Sequence, residues 1–444
     1  MADGPALAEQ APGVAPLGAP PALAASAAEP PSAPAGVLER LATFEDIQVL
    51  PSDIRHSTRS KRPGGLMHGG PVWPAEARDG FVRFISRREP LDRLAPPVER
   101  CDEVIEEPCV WGGYLQNHFG HLVAEHCGRL LWSRHAWPDA LFLFVHEPGA
   151  TLDALPRFVT EVVGWFGVRP ERMRLVGRPL LARRLHVAPQ AEPFKTAAPT
   201  DAYLDLLDHH VGASGLSPRP SDLLFVTRAG MLSRAKGGHV GEAYLAGRLA
   251  ALGATVIDPG SLPLREQLAH YAGARHIIFA EGSAIHGRQL LGRLNQDITV
   301  LCRRPGSRLA ALNLRPRCRR LTFVEATRHM VAPVRRLGPP ADSIAMSIYD
   351  LKRLLRGLAA LGLDVMATWD QKAYLKACRD DLAAWQSALQ DRPDVFDLPA
   401  SLEALSAVTT QRPFSRRSDR GASAPKPADR SAGPSAPGPS ALSP

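Results

Sequence analysis

Between residues 222 and 302 the apolar positions fall into short unbroken runs at 222–228, 254–257, 276–280 and 297–302, and the stretches between them repeat apolar residues at helical spacing over about 239–252, 264–272 and 285–291. Short continuous runs bounded by turn residues read as strands buried on both faces. Strand and helix alternating at this interval predict a parallel sheet covered on both sides, because parallel neighbours need a crossover connection. This half therefore reads as Rossmann-like. The first half is less regular: a helix is predicted over 119–132, a strand over 141–146, and shorter strands over 174–176 and 185–188. Two longer helical patterns, 347–361 and 369–390, follow the second half, the latter with Leu375, Cys378, Leu382 and Trp385 on one stripe. They are expected to brace the two halves.

Composition sharpens this picture. The chain has 444 residues, 45% of them hydrophobic and 22% charged, enough for two or three domains with real cores. Residues 1–36 and 411–444 are Ala-, Pro- and Ser-rich and are expected to be disordered arms. The body divides into an N-terminal α/β domain at 37–215, a Rossmann-like domain at 216–340 and helices at 341–410. The net charge of +8 comes from 53 Lys plus Arg against 45 Asp plus Glu. The basic stretch 315–320 lacks the interleaved aromatic residues of a nucleic-acid surface, so no nucleic-acid partner is expected. The six cysteines form no C-x-x-C pair, and neither a signal peptide nor a membrane-spanning run is visible, so a cytoplasmic protein is expected.

Motif absence narrows the chemistry. The chain contains no G-x-G-x-x-G, no G-x-x-x-x-G-K-[ST], no G-x-S-x-G, no H-E-x-x-H and no D-x-D. A bound diphosphate would thus be neutralised by side-chain cations and backbone amides. Ligands in an open parallel sheet sit beyond the carboxyl ends of the strands. One such end carries Thr227 and Arg228 followed by Arg234 and Lys236, and another carries Glu281, Gly282 and Ser283. A second constellation follows Trp111: Asn117, His118, His121, Glu125 and Arg129. On a helix Phe119, Leu122, Val123, Cys127, Leu130 and Leu131 form an apolar stripe, with His118, His121, Glu125 and Arg129 on the opposite face. His121 and Glu125, four apart, can meet, which would orient the other imidazole nitrogen as a general base. The same set read as metal ligands matches no established zinc spacing, so no metal is expected, although a metal-dependent hydrolase stays open as an alternative.

The segments NHFGHLVAEHCGRLLW and LFVTRAGMLSRAKGGHVGEAYLAGRLAALGATVIDPGSLPLREQLAHYAGARHIIFAEGSAIHG, spanning about 105–300, resemble glycosyltransferase family 61, including its bacterial capsular-polysaccharide members. Thr227 with Arg228, Arg234, Glu242, Gly253, Glu266 with Gln267, and the turn 282–284 stand at the matching places, while Gly241 and Glu281 replace the usual Asn and His. The resemblance implies a GT-B-like α/β fold with two Rossmann-like domains facing a cleft, and an inverting, metal-independent transfer without cofactor. It further implies a nucleotide-sugar donor, typically UDP-linked, and a glycan or lipid-linked acceptor, with contact at a membrane surface as one consequence. Thr227, Arg228, Arg234, Lys236, Glu242, Glu266, Glu281, Gly282 and Ser283 would bind the donor. Asn117 and His118 would lie on the acceptor side, and His121 with Glu125 would be catalytic. A non-catalytic sugar-nucleotide or glycan-binding protein on the same scaffold is the main alternative.

Overall fold

A computed structural model describes residues 41–52, 69–74, 96–192, 197–337 and 342–409. The two arms expected to be disordered lie outside these residues. The fold is mixed α/β, built on two sheets.

The first sheet contains β1 (Ala42–Leu50), β2 (Gly70–Pro71), β3 (Glu103–Ile105), β4 (Cys109–Tyr114), β5 (Leu141–Val145), β6 (Met173–Leu175) and β7 (Leu180–Val187). Their order is β2-β1-β7-β4-β5-β6, with β3 also on β7. The strands β7, β4, β5 and β6 run parallel, whereas β1 pairs with β7 antiparallel, Ala42 opposite Val187. The first sheet is therefore mixed, mostly parallel with an antiparallel pairing at β1.

The second sheet holds β8 (Ser221–Val226), β9 (Thr255–Ile257), β10 (Ala274–Ala280), β11 (Asp297–Leu301) and β12 (Arg320–Val324), all parallel, in the order β12-β11-β10-β8-β9. The chain turns back at the junction of β8 and β10, the point at which open parallel sheets leave a crevice beyond their carboxyl ends. Period-two alternation drives the layering: Leu224 and Val226 join one apolar cluster, Leu223 and Phe225 another. Helices Glu242–Ala251 and Leu264–Gly273 make two of the crossovers. The remaining strands, β13 (Thr327–Val331) and β14 (Met346–Tyr349), form an antiparallel pair. The helix predicted from 347 begins only at Leu351, where the Asp350 carboxylate accepts the Arg353 N–H and caps it.

The core does not stop between the sheets. A single apolar cluster takes in Val110 and Phe144 from the first sheet, Val163 and Leu268 from intervening helices, and Val226, Phe279 and Val300 from the second. The division placed between 215 and 216 is thus crossed by a shared interior.

Candidate functional site

The carboxyl end of β4 delivers the first wall of the site. Gly113 there adopts a positive φ of 105° at a register shift against β5, and the chain then leads to His118. His118 caps the following turn, its Nδ1 accepting the His121 N–H at 3.3 Å. After one helical turn the backbone widens over Leu122–His126 and tightens over Cys127–Arg129 before the regular helix Leu130–Ala136. The uninterrupted helix expected over 119–132 is corrected to this broken one. Wide turns of this sort are frequent at functional sites. They also swing the polar stripe inward: Glu125 and Arg129 are buried, whereas His118 and His121 stay exposed. His121 Nδ1 contacts Glu125 Oε1, and only 3% of the Glu125 side chain is exposed against 49% of His121. Although part of its surface reaches solvent, the protein packed around the His118 ring desolvates it and, with His121, His286 and Lys236, pulls the imidazole down to about 4, so the ring is neutral at pH 7.

The second wall comes from loops after β8, β10 and β11. Arg228 follows β8, and its Nε and Nη2 donate to the Gly237 carbonyl at 3.2 and 2.7 Å. Gly282 follows β10 and lies beneath that guanidinium; a Cβ there would stand 2.0 Å from Arg228 Nη1. Glu242 is fully buried, accepts the Thr227 hydroxyl at 2.7 Å and the Arg228 backbone N–H, and so fixes the turn that aims Arg228. Burial holds the Glu242 carboxyl above its ordinary range despite those bonds. Glu281 is equally buried and grips the loop after β11. It accepts the Arg303 and Arg304 backbone N–H groups at 2.7 and 3.0 Å, the Arg304 Nε at 2.8 Å and the Ser307 hydroxyl at 2.7 Å. Burial raises its pKa, but Arg304 and Ser307 outweigh that and keep it below the ordinary carboxylate value.

Both walls face one hollow of about 1060 Å³. His118, His121 and Glu125 line one side, with Arg228, Ser283, Arg303, Arg304, Arg308 and Arg315 opposite. Burial lowers the Arg228 pKa, and that of Arg303 to about 10, yet both guanidiniums remain cationic near neutrality. Five guanidiniums line the hollow against one carboxylate, and although Arg304 pairs with Glu281 and Arg308 with Glu325, cations predominate on its surface.

Not every expected residue converges here. Glu242 and Glu281, anticipated against a ligand, are instead spent on shaping loops. Glu266 pairs with Arg219 at 2.5 Å, away from the hollow. Arg234 and Lys236 are exposed and line neither this hollow nor the one beside it. Asn117 is tied to Glu147 and His146 at 3.3 and 3.0 Å. Thr227 lines the neighbouring hollow. Sequence reading missed His286, Arg303, Arg304, Arg308 and Arg315; the strand-end rule applied to the sequence after β11, 302–308, would have found three of the arginines. Among the described residues no group of three or more His, Cys, Asp or Glu side chains is placed to hold a metal ion.

Residues 119–288 match the family model described as Glycosyltransferase 61. That likeness is the starting point of the functional reading proposed below. The matched stretch opens on the turn carrying His121 and closes at the buried Arg288, so it contains Glu125, Arg228 and Gly282 but not the arginine loop after β11. No curated protein shows significant similarity to the chain. Among solved structures, the flavodiiron protein from Giardia intestinalis is similar at 11% identity over 50% of this chain and 54% of that one, with a TM-score of 0.19. The chain therefore spans about half the length of that structure, and a score so low carries no weight for fold or function.

Proposed function

We propose that the protein is a glycosyltransferase that moves a sugar from a nucleotide-sugar donor, UDP-linked as in the family it resembles, to an acceptor hydroxyl with inversion and without a metal ion. The observation that carries this reading is the shared hollow, in which the His121–Glu125 pair stands across from Arg228. The Glu125 carboxylate accepts Nδ1–H of His121 and leaves the Nε2 lone pair for the acceptor proton. As the acceptor oxygen bonds to the anomeric carbon on one face, the bond to the diphosphate breaks on the other, and the proton passes to Nε2. Arg228, Arg303 and Arg304 compensate charge growing on the leaving diphosphate, a task that in many nucleotide-sugar sites falls to a divalent cation. A glycan or lipid-linked glycan supplies the hydroxyl, consistent with the size and openness of the hollow.

Single-turnover and steady-state assays on two variants test this. His121→Ala is expected to lower kcat roughly 10²–10⁴-fold with little change in donor Kd. Arg228→Ala is expected to weaken donor binding as well as turnover. Full turnover by the His121 variant would remove the imidazole from the reaction.

A further inference from the structure

Beside the large hollow lies a second, of about 440 Å³, and the two share Arg228 and Ser283. Its lining has a different chemistry. The rings of Phe119 and Phe158 meet edge to face at 6.1 Å, and Met231 and Leu262 add apolar surface. Its charged rim is largely self-contained: Glu161 pairs with Arg157 at 3.4 Å and accepts the Leu264 N–H at 3.1 Å. Gln267 is nine-tenths buried, and its Nε2 donates to the Pro259 and Leu262 carbonyls at 2.8 and 2.9 Å. What Gln267 can offer a guest is therefore its oxygen, an acceptor. Asp258, just past β9, spends Oδ1 on the Gly260 N–H at 2.9 Å and is otherwise an acceptor too. An acid at the end of the strand next to the phosphate-facing strand is where parallel-sheet folds hold ribose hydroxyls.

We infer that this smaller hollow is the ribonucleoside subsite, an inference that rests on the donor reading above. The diphosphate crosses the neck at Arg228 and Ser283, the sugar enters the large hollow toward His121, and the nucleoside turns the other way. There Phe158 stacks on the base, Asp258 accepts from the ribose diol, and Gln267 accepts an N–H or O–H of the nucleoside. The aromatic wall belongs to the first half of the chain, so the donor is held by both halves.

Calorimetric titration of the full chain with UDP, GDP, their 2′-deoxy forms and inorganic pyrophosphate tests the assignment. Wild-type protein should bind one ribonucleoside diphosphate more tightly than pyrophosphate. Phe158→Ala and Asp258→Ala should each weaken that nucleotide roughly 10- to 100-fold, leaving pyrophosphate affinity unchanged. Asp258→Ala should also lose the preference for the ribo over the 2′-deoxy form. Because Asp258 also holds a turn, the Phe158 variant, on a half-buried ring, guards against misfolding as the cause. Nucleotide binding unchanged in both variants but lost in Arg228→Ala would overturn the subsite while leaving the donor reading intact, as would a rise in acceptor KM alone. Failure of every nucleotide to bind wild-type protein would overturn both.

Discussion

At the residue scale, two glycines share a residue type but do different work. Gly282 has an extended backbone, so its value is absence of bulk: any side chain would occupy the space taken by the Arg228 guanidinium. Gly282→Ala is expected to displace that guanidinium and weaken pyrophosphate binding about tenfold or more, with circular dichroism unchanged; native affinity would mean that Arg228 does not touch the anion. Gly241 has a φ of 78°, and a Cβ there would lie 2.5 Å from the Tyr374 ring and 2.8 Å from Cys378 Sγ. Its N–H donates to Asp381 at 2.7 Å. This explains the departure from the usual Asn: a helix is packed against the position. Arg228, His121 and Gly282 were legible because strand ends and i, i+4 spacing can be read locally. The tasks of Glu242 and Glu281 were not, since a carboxylate facing a ligand and one gripping a loop look alike in sequence.

Among the elements, the helix Gln371–Gln390 matters most to the site from a distance. Trp385, fully buried, packs with Leu389 and Phe396 against Leu232, Ala235 and Val240, which belong to the loop that follows Arg228. Trp385→Ala is expected to cost about 3–5 kcal/mol, measured by urea denaturation, and to raise the donor KM as the loop loosens; a destabilised variant with native KM would show the loop to be held by other contacts. This helix and the strands β8, β9, β10 and β11 could be read from the sequence because each is a continuous local pattern; β12, only its last residue buried, was missed. The strand β1 and its antiparallel pairing could not, because its partner β7 lies more than a hundred residues onward and periodicity carries no information about partner choice. The broken winding after His118 was hidden for a related reason: a wide turn leaves the apolar spacing nearly helical while rotating everything after it.

For the molecule as a whole, buried histidines set the acid limit. Burial pulls His239 to about 3 and His276 and His286 to about 4. In the unfolded chain these rings bind protons near 6.5, so the unfolded state takes up more protons, and stability falls as pH drops from about 6.5 toward 4. The expected slope reaches roughly 1.4 kcal/mol per pH unit for each ring. Glu242 and Asp381, raised by burial, act in the opposite sense, but the three histidines outnumber them. Urea midpoints between pH 7 and 5 check this; a flat profile would contradict it. The interior running unbroken from β4 to β11 has a mechanical corollary. Parting the two walls would strip water-averse side chains of their neighbours along the whole seam, an outlay no single substrate repays. On the proposed function, catalysis is thus expected to begin in a socket built in advance, with entry and exit governed by loops at its mouth and not by a clamshell swing of the halves.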